Sequence, residues 1–188
     1  MESALIIVGW IVGLLATVIV VFLVVAALQP EDFRISRSAS MSAPASEIFP
    51  YVNNLHRFDD WSPFANIDPN MGKLYTGPEA GVGASYAWSG NSQAGEGKMT
   101  IVESQPNDVV RMKLEFAKPW ACQNDVEFLF QPKGDQVVVS WTMTGKNNFM
   151  AKAFSLLMGM DRMVGGMFEE GLAKLKSLVE AGAKKPVA

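Results

Sequence analysis

Residues 147–182 read NNFMAKAFSLLMGMDRMVGGMFEEGLAKLKSLVEAG, the only long amphipathic helical pattern outside the N-terminal segment. Phe149, Met150, Ala153, Phe154, Leu157, Met160, Val164, Met167, Phe168, Leu172, Leu175, Leu178 and Val179 recur at steps of three and four. Lys152, Asp161, Arg162, Glu169, Glu170, Lys174 and Lys176 fall mostly between them, so one face is apolar and the other wet. At about 1.5 Å per residue this predicts a rod roughly 50 Å long, which needs a partner surface for its stripe. Gly159, Gly165 and Gly166 interrupt the pattern, each at up to about 1 kcal/mol against alanine. They mark either a hinge or a close approach to a neighbour.

The partner surface is legible upstream. Phe33 to Met41 alternates as a strand, and Ser42-Ala43-Pro44 then reads as a helix entrance with Ser42 as cap. That helix runs to Asn53-Asn54 and restarts over Leu55 to Trp61. From Gly72 strand signals come at regular spacing: 73–76, 83–89, 96–104, 109–117, 124–131 and 136–144, separated by Gly, Pro, Asn and Asp. In 109–117, Val110, Met112, Leu114 and Phe116 lie on one face, with Arg111, Lys113 and Glu115 on the other. Sequential strands joined by turns favour an antiparallel meander, so the order strand, two short helices, six strands, long helix is α+β.

Ala4 to Leu28 has no charged side chain and is long enough to cross a hydrocarbon core of roughly 30 Å. Val25-Ala26-Ala27 resembles a signal-peptide cleavage site, but no Lys or Arg precedes the run and it outlasts an ordinary h-region. The reading is an uncleaved anchor, contacting the membrane through residues 4–28. Arg34 and Arg37 follow it and no Lys or Arg precedes it, which places the following domain in the cytoplasm as a single-pass protein. The expected organisation is a transmembrane helix at 1–30, a domain at 31–182 and a disordered tail at 183–188.

Sixteen basic residues face nineteen acidic ones, with no basic run beyond Lys184-Lys185, so nucleic acid is not an expected partner. Cys122 is the single cysteine and His56 the single histidine, which excludes an internal disulfide and Cys-rich metal sites; no cofactor or metal is expected.

The element order, with Trp61-Ser62-Pro63-Phe64, Asp68-Pro69, Tyr75-Thr76-Gly77, Gly81-Val82-Gly83-Ala84, Trp88-Ser89-Gly90-Asn91 and Gly95-Glu96-Gly97, resembles the START-like (helix-grip, SRPBCC) superfamily in its polyketide cyclase/dehydrase-like branch. The resemblance covers about Asp32 to Ala181. It implies a seven-stranded antiparallel sheet curved around the C-terminal helix and enclosing an apolar cavity. It does not imply a reaction, because this fold serves carriers, receptors and enzymes alike.

Candidate ligand-cavity residues are the aromatics Trp61, Phe64, Tyr86, Trp88, Phe128 and Trp141, together with Met99, Met112, Met160, Met163 and Met167. Methionine is flexible and polarisable, so a Met-rich helix against an aromatic sheet suits varied apolar guests, although both residue types are also ordinary core. Catalytic candidates are weaker. His56 with Asp59 or Asp60 on one helical face offers a base and an orienting carboxylate, and Glu96 sits between two glycines on a strand. The bland readings are a wet helix face and a bulge or hairpin start. The leading function is a membrane-anchored binding domain, not an enzyme, for a hydrophobic or amphipathic small molecule, lipid-like in character. A cyclase-type enzyme using His56, Asp59 or Glu96 is the alternative, and a membrane-tethered module for a protein partner the third reading.

Overall fold

A computed structural model describes residues 2–183. Helix α1 (Glu2–Leu28) contains a stretch, Ile7–Leu28, long and apolar enough to cross a membrane. Its described side chains stand clear of the rest of the chain, except near the C-terminal end, where Ala26 is buried. Pro30 stops the helix, as proline must. The chain then enters β1 (Asp32–Met41), α2 (Ala45–Asn53), α3 (Leu55–Phe58) and a 3-10 turn at Pro63–Asn66. Strands β2 (Gly72–Thr76), β3 (Ser85–Ser89), β4 (Glu96–Gln105), β5 (Val109–Lys118), β6 (Cys122–Lys133) and β7 (Gln136–Lys146) follow.

The seven strands form one antiparallel sheet in the order β1-β7-β6-β5-β4-β3-β2. The first strand closes on the last, with Asp32 opposite Lys146 and Met41 opposite Val137. Period-2 alternation sets which face is buried: Val110, Met112, Val126, Phe128, Val139 and Trp141 point to the core, while Arg111 reaches Glu103 and Glu127 on the other face. The α+β helix-grip architecture expected from the sequence is what the chain adopts. Strand β3 begins at Ser85 and not at Gly83, because Gly83 lies in a turn with its N–H donating to Ile101 O at 2.9 Å.

The single rod expected over 147–182 is two helices. Helix α4 (Phe149–Met158) starts with Asn148 Oδ1 accepting from the Ala151 N–H, as an N-cap should. It ends at Gly159, whose φ of 64° is left-handed and open to glycine. Helix α5 (Met160–Ala183) begins immediately after it. It lies across β1 and against the 3-10 turn, burying Phe168, Leu172, Leu175 and Val179 on one stripe. Helix α4 leaves the sheet and packs against α1. Phe149, Met150, Phe154 and Leu157, read from periodicity as one apolar face with the α5 stripe, are exposed.

The other two glycines differ from Gly159 and from each other. A Cβ on Gly165 would lie 2.1 Å from Arg37 Nη2, whereas one on Gly166 would meet nothing. Arg37 crosses from β1 to the helix, its Nε donating to Glu169 at 2.7 Å and its Nη2 to Asp161 at 3.0 Å. The expected tail at 183–188 shares only Ala183 with α5; the remainder lies outside the described residues.

Candidate ligand site

The register lays side chains in rows across the helix-facing side of the sheet. One row, Arg37, Trp141, Phe128 and Val110, runs over β1, β7, β6 and β5. It is closed from above. Trp141 stacks on Phe168 of α5 at 4.1 Å, and Trp61 meets Trp141 edge-on at 5.4 Å and Phe58 at 4.6 Å. Gly171 lets α5 come this close, since a Cβ there would lie 2.9 Å from the Trp141 ring. The Trp61 indole donates to Tyr51 O at 3.0 Å. Among the described residues, Ser62 Oγ and Trp141 Nε1 are the buried side-chain polar atoms without a hydrogen bond, and both belong to this region. Leaving such a group unpaired costs about 1–3 kcal/mol.

A second stretch of the same face stays more open. Phe33, Gly145, Asn124, Leu114, Met99, Tyr86 and Tyr75 form one row, and Cys122, Phe116, Gly97 and Trp88 the next. Phe33, Leu114, Phe116 and Trp88 are only half-buried, and Asn124 is a buried polar residue among them. Trp88 reaches Phe116 across β4 because the intervening residue is Gly97, where a Cβ would sit 2.5 Å from the indole. The Trp88 N–H is satisfied by Ala94 O at 3.0 Å. These rows lie toward the end of the sheet where β1 begins and β7 ends, the end from which α1 departs.

An aromatic ladder continues to the sheet edge. Trp88 stacks on Tyr86 at 5.7 Å, Tyr86 on Tyr75 at 5.2 Å and Tyr75 on His56 at 3.8 Å. Tyr75 donates its hydroxyl to Asp59 Oδ2 at 2.5 Å, and Lys73 Nζ donates to the same oxygen at 2.7 Å. Burial, then the hydrogen bond to Asp59, pushes the Tyr75 phenol well above its ordinary value. Burial does the same for Tyr86, with the Asp59 charge adding to it. A shallow pocket of about 250 Å³ opens beside this edge, lined by His56, Tyr75, Glu79 and Ser85 among others. Another, of about 300 Å³, lies on the opposite face between Arg34, Arg111, Asp125 and Thr142.

The residues proposed from sequence fall into distinct places. Trp61, Phe128, Trp141 and Met112 are in the closed core. Trp88 is half-buried in the more open rows, where Tyr86 and Met99 are themselves buried; Phe64, Met160 and Met167 are half-buried around α5, and Met163 is 46% exposed. None of these lines either shallow pocket. His56 and Asp59 share a cluster but meet through Tyr75, and Asp60 is exposed. Glu96 stands apart, at a bulge where β4 begins, accepting from Lys118 Nζ at 2.9 Å and Ser89 Oγ at 3.2 Å. The Lys118 ammonium holds its carboxyl below the usual carboxylate range. Among the described residues no group of three or more His, Cys, Asp or Glu could hold a metal ion. Sequence reasoning missed Tyr75 and Lys73 as partners of Asp59, although Tyr75 stood in a quoted motif. It also missed Phe33 and Asn124, whose roles appear only once the register is known.

No curated protein matches this sequence. Solved structures with the same fold include protein MLL2253 from Mesorhizobium loti, at 12% identity and a TM-score of 0.58, covering 79% of this chain and 98% of that one. Protein CV1439 from Chromobacterium violaceum matches at 15% identity and a TM-score of 0.55, covering 81% and 99%. The Aha1 protein of Colwellia psychrerythraea, solved as a dimer, matches at 16% and 0.55, covering 80% and 98%. At these identities the likeness is one of fold. The sequence profile described as "Polyketide cyclase / dehydrase and lipid transport" matches residues 32–180, from the first residue of β1 almost to the end of α5. The chain belongs to the polyketide cyclase/dehydrase and lipid transport family.

Proposed function

We propose that this protein is a membrane-anchored binding domain for a hydrophobic or amphipathic small molecule of lipid type. The observation that carries the reading is the half-buried apolar strip of Phe33, Leu114, Phe116 and Trp88 on the helix-facing side of the sheet, near the end from which α1 departs. Apolar surface of this kind gains roughly 25 cal/mol for each Å² removed from water, and an acyl chain or flat ring system can remove it. Asn124 offers such a guest a polar partner within the strip, and deeper in lie the unpaired Trp141 Nε1 and Ser62 Oγ. An anchor in α1 would hold the strip beside a reservoir of apolar molecules, with the domain on the cytoplasmic side. Trp88 is the expected cavity residue that the ligand touches directly in this reading, with Tyr86 and Met99 buried beside it.

The test is to extract the full chain from its membranes in mild detergent and identify bound small molecules by mass spectrometry. A reproducible apolar species, depleted when Leu114→Trp fills the strip, is the expected result. Equal recovery from Leu114→Trp, or no bound species in any detergent, would contradict the reading. A cyclase-type activity has one observation in its favour, the His56, Tyr75 and Asp59 cluster beside an open pocket.

A further inference from the structure

The apolar side chains that face away from the domain are concentrated on α4, and their neighbour says what covers them. The helix reads FMAKAFSLLM, and its sole charged residue, Lys152, is buried and turned toward Glu31 at 3.9 Å. Its outward side chains are Phe149, Met150, Phe154, Leu156 and Leu157, with Met150 61% and Leu157 70% exposed. In water such a helix would be a liability, and an exposed apolar patch marks a contact surface. Helix α4 packs against α1, the helix long and apolar enough to span a bilayer, so it shares the surroundings of the end of α1.

A separate element converges on the same place. Phe116 faces Cys122 across the β5–β6 turn, Asn124 faces Gly145, and Asp32 faces Lys146. This register puts the β5–β6 turn at the end of the sheet where β1 starts and β7 stops. Trp120 stands on that turn, 62% exposed. Tryptophan is enriched at the membrane–water boundary, where an apolar ring with one polar edge is at home. A helix that presents an apolar face on its outer side can bury that face in the headgroup–acyl boundary.

We infer that α4 and the Trp120 turn form a lipid-contact surface that sits in the headgroup–acyl boundary of the leaflet next to the domain. The occupant of the exposed α4 face is the bilayer itself. This rests on the reading of α1 as an anchor and deepens it: the domain lies down on the membrane and does not swing from a tether. The strip of Phe33, Leu114 and Phe116 then opens toward the leaflet, and Gly159 joins the seated helix α4 to the sheet-bound helix α5.

The experiment uses the full chain in phosphatidylcholine liposomes on a Cys122→Ser background. One spin label at a time is placed through Met150→Cys, Leu157→Cys or Trp120→Cys. Lys174→Cys on the wet face of α5 is the aqueous control, and Val18→Cys in α1 the buried one. Collision with dissolved oxygen is compared with collision with a water-soluble nickel chelate. The expected result is nickel collision several-fold lower at 150, 157 and 120 than at 174, with oxygen collision raised as at 18. If 18 is lipid-like while 150 and 157 match 174, the anchor stands and the inference falls. If 18 matches 174, the anchor reading fails and takes the inference with it. Labels at 157 shielded from both reagents, with dipolar broadening between chains, would assign the face to a second copy and overturn the lipid assignment.

Discussion

At the scale of single residues, Gly165 and Gly166 make opposite predictions from adjacent positions. Gly165 is small because the Arg37 guanidinium lies against it, so Gly165→Ala forces that side chain off Asp161 and Glu169. Overpacking of this kind costs about 1–3 kcal/mol, read as a lower denaturant midpoint. Adding Arg37→Ala to Gly165→Ala should recover part of that loss, the sign of a direct coupling. Gly166→Ala meets open space and should raise stability by up to about 1 kcal/mol through helix propensity alone. In the sequence the two look the same. The tyrosine pair gives a pH prediction. Folding raises the Tyr75 and Tyr86 pKa values, so in alkali the folded chain keeps protons that the unfolded chain loses. Their contribution is intact below about pH 10, the unfolded value, and fades as pH rises above it toward the folded values. Urea unfolding across that range should show a falling midpoint, with a shallower fall in Tyr75→Phe.

At the scale of elements, α5 is held by its stripe and α4 is not. Leu175 is completely buried, and Leu175→Ala should cost about 2–5 kcal/mol in chemical denaturation. Leu157→Ser on α4 should leave the detergent-solubilised domain within about 0.5 kcal/mol of the parent, as exposed substitutions generally do. The strands were legible where alternation survives between turn residues, Val110 to Phe116 being the cleanest. The helix break was not, since apolar spacing runs straight through Gly159 and nothing in the letters separates its left-handed φ from the tight contact at Gly165. The apolar face of α4 was read as core for the same reason: periodicity reports a need for cover and is silent on whether sheet or lipid supplies it. The motif pieces behave differently. Asp68 Oδ2 accepts from the Asn91 N–H at 2.7 Å, and a Cβ on Gly77 would lie 2.2 Å from Gly83 O. Those short runs touch one another in the folded chain.

At the scale of the whole molecule, one end of the sheet gathers the start of β1, the end of β7, the Trp120 turn and the departure of α1, with α4 beside them. The more open half of the helix-facing surface is the half nearest that end, and the closed aromatic core around Trp61 and Trp141 lies farther in. Composition foresaw the chemistry of this face, in its aromatics and methionines. It left open which of them fill the core and which remain partly free, because that depends on where α5 lies and where α4 leaves the sheet. The proposed lipid-like molecule rests on the strip formed by β1, β3 and β5. The direct measurement is photocrosslinking of the full chain in phosphatidylcholine liposomes carrying a diazirine-labelled fatty acid, with the modified residues mapped by mass spectrometry. Adducts at Trp88, Leu114 and Phe116, lost in Leu114→Trp, are the result this account requires. Adducts confined to α1 and α4, with none on the sheet, would show lipid around the protein but not within its grip, and would contradict it.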